Sequence, residues 1–155
     1  MNEDLKKVRF PILAIDYGRK HIGLAFCDRN GSLSSPLKTV HLPAKNYFEH
    51  LKKILDEIIN EYRIETLLVG LPQNFEESHK KSEEKVLLFI KRLRDWTDLP
   101  LITWDESFST KRAENMLLST GQSSKKSRGK IDSIACAIFL QEFLNYYKQQ
   151  NEKNI

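Results

Sequence analysis

Asp16, Glu106 and Asp132 are the residues through which this sequence could do chemistry, and placement rather than spacing singles them out. Asp16 is the one charge in the apolar run FPILAID, Glu106 follows the apolar run LITW, and Asp132 stands where the final amphipathic segment begins. An ionised carboxylate held against buried apolar surface is costly unless a hydrogen bond, a cation or a metal compensates it. Three converging carboxylates supply the oxygen ligands that Mg²⁺ or Mn²⁺ prefers, while keeping positions open for water and phosphate oxygens. Two such ions, about 4 Å apart, activate an attacking water and stabilise the leaving oxygen of an in-line phosphodiester displacement. The chemistry indicated is metal-dependent hydrolysis of a nucleic-acid backbone.

Each acid also has a plainer reading. Asp16 can bond the backbone of the turn that follows it, Asp105 or Glu106 can cap a helix beginning near Thr110, and Asp132 can be a first-turn acid favourable to the helix dipole. The residues alone leave Asp105 and Glu106 as alternatives. What favours a shared site is that all three acids fall at the ends of elements that a mixed sheet would bring close.

Cations surround these acids. Lys125, Lys126, Arg128 and Lys130 crowd the expected start of the last helix, where the macrodipole disfavours positive charge. An anion is expected there, and phosphate fits because helix N-termini and basic side chains both bind it. Arg19 and Lys20, just after Asp16-Tyr17-Gly18, are candidates for further phosphate contacts. The segment GQSSKKSRGK reads as a loop, with Gly121 and Gly129 leaving it free to close on a substrate.

The elements that must position these groups follow from periodicity. Phe10 to Asp16 is apolar on both alternating faces, as in a central strand covered on both sides. Tyr17 to His21 turns the chain into a second strand, Ile22 to Cys27, and Asn30-Gly31 turns it again into a third, Ser34 to Leu42, which Pro36 marks as an edge. Leu51, Ile54, Leu55, Ile58, Ile59 and Tyr62 recur at helical spacing, with Asn46 available as a cap. Ile64 to Val69 is a short buried strand closed by Gly70-Leu71-Pro72, and Ser78 to Trp96 is a second helix. Leu101 to Trp104 is the last strand. A third helix carries Ala113, Met116 and Leu117, the final helix runs from Ile131 to Tyr147, and QQNEKNI is a frayed tail. Hairpin strands followed by strands alternating with helices predict an α/β mixed sheet flanked by helices.

The 155 residues suit one domain spanning 1–155, with a core over about 9–147 and a polar tail over 148–155. Hydrophobic residues at 40% and charged residues at 30% are the balance of a globular chain. The longest apolar runs fall well short of the roughly 20 residues a membrane helix needs, and MNEDLKKVR has no signal-peptide core, so a cytoplasmic protein with no membrane partner is expected. Cys27 and Cys136 lie in apolar segments without metal-ligand spacing and read as small buried residues in a reducing compartment. A net charge of +4 adds mild support for a polyanionic partner.

Taken in order, ILAIDYGRKHIGLAFCD, LLVGLP, LITWDESFST and RGKIDSIACAIFLQEFL resemble the YqgF/RuvX family of RNase H-like nucleases, over about Ile12 to Leu144. The family's DxG strand, VGLP turn, DER-x-T-T segment and IDxxAA helix are four motifs in register. The resemblance implies an RNase H-like fold with sheet order 3-2-1-4-5, and Asp16 on the central strand beside the strand that ends at Glu106. It places the catalytic and metal-binding acids at Asp16, Glu106 and Asp132, choosing Glu106 over Asp105, with Mg²⁺ or Mn²⁺ as cofactor. It also implies an activity in ribosome biogenesis, maturing the 5′ end of pre-16S rRNA, or else on Holliday junctions. The family's Arg after the Asp-Glu pair is Ser107 here, and Ser109-Thr110 stand for its two threonines. Lys111 or Arg112 is a candidate for the missing cation.

Three other readings accompany this one. Branched DNA as substrate would call for a two-fold dimer rather than a monomer. A non-catalytic nucleic-acid-binding protein would bind in a salt-sensitive way without needing the acids. Asp16-Tyr17-Gly18 also resembles the phosphate turn of actin-like ATPases, which need a second lobe for which this chain has no room.

Overall fold

A doubly covered strand sits at the centre of the sheet, as the unbroken apolar run demands. The computed structural model describes residues 3–18, 21–71, 80–105 and 124–153. Strands β1 (Ile12–Tyr17), β2 (His21–Cys27) and β3 (Ser34–His41) form a meander, preceded by a 3-10 turn over Glu3–Lys7. Helix α1 (Tyr47–Tyr62), β4 (Thr66–Leu71), α2 (Lys80–Trp96), β5 (Leu101–Asp105) and α3 (Ser124–Lys153) follow. The sheet order is β3-β2-β1-β4-β5, antiparallel across β3-β2-β1 and parallel across β1-β4-β5. This is the expected five-stranded mixed sheet, with β3 and its Pro36 at the edge. Asp16 is not, however, beside the strand that precedes Glu106. The crossover through α1 returns β4 alongside β1 and the crossover through α2 lays β5 outside it, so β4 separates the two.

Alternation divides the apolar residues between two layers. Leu13 and Ile15 of β1, with Ile22 and Leu24 of β2, pack under Leu51, Leu55 and Ile58 of α1 and Phe89 and Leu93 of α2. Ile12 and Ala14, with Ala25 and Cys27, face Cys136, Phe139, Leu140 and Phe143 of α3. Fully burying one such large side chain contributes roughly 1.5–3 kcal/mol.

Helix α3 crosses the second face and is fixed by polar ties at the β2–β3 turn. The Gln141 side-chain oxygen accepts the Ser34 backbone N–H at 2.9 Å, its amide donates to the Ser32 carbonyl at 3.1 Å, and the Ser34 hydroxyl donates to the Ala137 carbonyl at 2.6 Å. Farther on, Tyr147 meets Phe10 and Trp104 meets Phe143, both edge to face. These contacts set how far along its axis the helix lies, and so where Asp132 falls. Before β1, the Thr66 hydroxyl donates to the Arg9 carbonyl and accepts the Arg9 N–H, fastening the entry of β1 to β4.

Several expectations change. The segment expected to be a loop is helical from Ser124, so Gly129 lies within α3, while Gly121 is outside the described residues. The polar end of the chain is helical through Lys153 rather than frayed from Gln149. Asn46 does occupy the N-cap of α1, but in a left-handed conformation with no side-chain cap bond. Strand β4 starts two residues later than expected and includes Gly70 and Leu71. The helix expected around Ala113 to Leu117 lies outside the described residues. Among the described residues no helix is long and apolar enough to cross a membrane.

Candidate active site

Asp16 shares its face of β1 with Ile12 and Ala14, the face that α3 covers. It is half-buried and pairs with Gly23 on β2. Directly opposed residues of an antiparallel pair have Cα atoms roughly 4.5–5.5 Å apart. A Cβ added at Gly23 would fall against the backbone of Asp132, 2.5 Å from its carbonyl carbon and 3.1 Å from its own Cβ. No side chain fits there, so the helix settles directly on the strand. Asp16 and Asp132, distant in sequence, thus flank one glycine.

Two neighbours shape this end of the sheet. Thr39 on β3 pairs with Gly23 from the other side, and its buried hydroxyl has no hydrogen-bond partner among the described residues. Gly18, two residues beyond Asp16, sits where a Cβ would be 2.5 Å from the His21 carbonyl oxygen, which keeps the β1–β2 connection tight against the strand ends. Asp132 itself is half-buried and lies about two turns inside α3. That removes its plainer reading as a first-turn acid, because the dipole's influence falls off within the first turn.

Residues 11–146 match the model of one family, described as RuvX, Holliday junction resolvase. The chain belongs to the RuvX family. Among its relatives, a protein of Syntrophus aciditrophicus is 33% identical over 139 residues, covering 90% of this chain and 91% of that one. Another, of Desulforamulus reducens, is 37% identical over 134 residues, covering 86% and 96%. Both carry the name "Putative pre-16S rRNA nuclease". In fold, this RuvX chain is similar to T. thermophilus RuvC in complex with Holliday junction substrate, with a TM-score of 0.56 at 16% identity over 91% of this chain and 97% of that one. It is likewise similar to the fowlpox virus Holliday junction resolvase, with a TM-score of 0.53 at 15% identity, covering 90% and 99%. The fold is therefore RNase H-like, and membership of RuvX places the chain in a family of nucleases.

Of the acids chosen from the RuvX sequence, the structure brings Asp16 and Asp132 together. Glu106, with Arg19 and Lys20, lies outside the described residues. Lys125, Lys126, Arg128 and Lys130 fall within the first two turns of α3 instead of in a loop. Among the described residues no group of three or more His, Cys, Asp or Glu gathers to hold a metal. Gly23 and Thr39 were not singled out from sequence. A glycine within an apolar strand was a readable sign of close backbone approach, whereas nothing in the sequence marks Thr39.

Proposed function

We propose that this chain hydrolyses an RNA phosphodiester with the aid of divalent metal ions, and that the bond lies at the 5′ end of pre-16S rRNA. The observation that carries this reading is the meeting of Asp16 and Asp132 across Gly23. The names of its relatives supply the substrate. Asp16 and Thr39 in one cross-strand row, with Asp132 of α3 against the glycine between them, form an all-oxygen donor set, the kind that Mg²⁺ or Mn²⁺ takes. The residues present therefore fit the ions.

Asp16, Glu106 and Asp132 would hold the metal, with two ions as the favoured number. Ile102 and Trp104 of β5 belong to the α3 layer, and the family's motif chooses Glu106 over Asp105 as the third acid. Bound there, such ions supply a nucleophilic water at neutral pH and offset the charge that develops on the phosphate. The chain's own contribution is to hold its acids rigidly, two of them on the central strand and the helix packed upon it. Lys125, Lys126, Arg128 and Lys130, with Arg19 and Lys20, would bind the flanking phosphates, contacts that orient a strand without reading its sequence. The extent of the family match supports a single domain, and rRNA maturation a cytoplasmic site of action.

Branched DNA is the second reading, favoured by the family model's description. It requires two symmetric cuts and hence a homodimer, whereas rRNA trimming needs only a monomer. Precursor 16S rRNA and a four-way DNA junction, incubated in parallel with the protein and Mg²⁺ or Mn²⁺, decide between them. Cutting of the rRNA 5′ leader with an intact junction is expected. Junction cleavage by a dimer, with the rRNA untouched, would replace the first reading by the second.

A further inference from the structure

A cleft of about 450 Å³ opens at the end of the sheet where β1 ends, β2 begins and β3 leads into α1, immediately beyond Asp16. Its walls include Tyr17 and Gly18 at the end of β1, His21 at the start of β2, His41 at the end of β3, and Pro43 and Tyr47 leading into α1. Clefts that take small ligands span roughly 300–1,000 Å³. Nothing in the acid chemistry described above uses this one.

The lining is aromatic yet not part of the sealed core. The His21 and His41 rings meet edge to face with centroids 4.4 Å apart, and both residues are exposed. Cross-strand pairing explains why the two rings meet, but not why they meet at the rim of a cleft walled by two tyrosines. Those tyrosines are held in place. Tyr17 stacks on Phe89 at 4.5 Å and shares a hydrogen bond with Tyr47, and the Arg92 guanidinium donates to the Tyr47 hydroxyl at 3.4 Å while lying over the Phe48 ring. Fixed aromatic and imidazole rings, with hydroxyls at their edges, are what single-stranded nucleic acid uses when an unstacked base packs on a protein.

We propose that this cleft receives one unstacked nucleobase of the substrate strand, close to the phosphate presented to Asp16. His21 and His41 lie two residues beyond the paired Gly23 and Thr39, on the face of the sheet that Asp16 shares, and a strand advances about 3.3 Å per residue, so a base against the histidine pair and a phosphate at the acid lie within one nucleotide's reach. The inference rests on the nuclease reading for the substrate class, and it adds a requirement: the strand is unpaired at the nucleotide beside the cut.

The test is binding without cleavage. A dye-labelled single-stranded oligoribonucleotide is titrated with the full chain in EDTA, by fluorescence anisotropy, and one base at a time is removed to leave an abasic position. Loss at one position is expected to weaken binding by about tenfold or more, as for a lost base–aromatic stack. His41→Ala should weaken the intact strand by a similar factor and make it indifferent to that abasic position, while His41→Tyr restores both. Equal weakening at every position, no binding at all, or full sensitivity retained in His41→Ala overturns the proposal. The abasic scan on the unaltered protein decides the matter even if His41→Ala does not fold. An absence of metal-dependent cleavage, with the positional effect intact, would instead remove the nuclease reading and leave the cleft assigned.

Discussion

Gly23 carries the backbone of Asp132 on its open face, with no room between them for a Cβ. This contact joins the strand that pairs with Asp16 to the helix that bears the second acid, so the candidate site depends on an atom that is missing. Gly23→Ala should push α3 outward. Overpacking of this kind costs about 1–3 kcal/mol. Denaturant unfolding is expected to show that loss, and cleavage by the fraction that remains folded should fall by about tenfold or more, since displacements near 1 Å can cost two orders of magnitude.

Gln141 tests the same registration from a distance. Its side chain holds the Ser34 N–H and the Ser32 carbonyl, and Gln141→Ala leaves both to find other partners. A loss of about 0.5–1.5 kcal/mol per bond is expected, since water reaches these groups. The urea midpoint should drop while the unfolding slope stays constant, because the same surface is exposed on unfolding.

Cys27 sets a limit at alkaline pH. Burial pushes its thiol up from 9.0 to about 11, although the Ile12 N–H donating to its sulfur at 3.2 Å favours the thiolate. The unfolded chain therefore releases this proton first, and stability falls as the pH rises from about 9 through about 11. Melting temperatures compared at pH 8 and pH 10.5 should converge for wild type and Cys27→Ala at the higher pH. Native Cys27 should also resist iodoacetamide at pH 8 and react once unfolded.

Much of the fold could be read from residue patterns because packing repeats along an element. The alternation of Leu13 and Ile15 against Ile12 and Ala14 announces two covered faces, and Pro36 announces an edge. The start of α3 could not be read this way, because Ser124 to Lys130 contains no apolar residue to carry a helical period. Lys and Arg are nonetheless good helix formers, and the turns they make extend a helix anchored farther on by Cys136 and Phe139. The sequence offered the candidate site as a set of acids and not as an arrangement. Which acids meet depends on Gly23, a pairing of residues far apart in sequence that no local pattern encodes.

Metal binding offers a readout independent of turnover. If Asp16 and Asp132 hold Mn²⁺, the ion binds the folded state alone and stabilises it by about 2.7 kcal/mol at 100 times its dissociation constant. For a chain of this size, roughly 2–4 °C per kcal/mol is expected in the melting temperature. Titration with MnCl₂ should raise the melting temperature of wild type and leave that of Asp132→Asn unchanged.

The central claim, that Asp16 is part of a metal-dependent nuclease site, is tested most directly by single-turnover cleavage of precursor 16S rRNA with Mn²⁺, wild type against Asp16→Asn. Near-isosteric removal of one carboxylate charge should slow the cut by about a thousandfold, on the order of 4 kcal/mol of transition-state stabilisation, with the melting temperature in EDTA little changed. A variant that cuts at the wild-type rate would contradict the account.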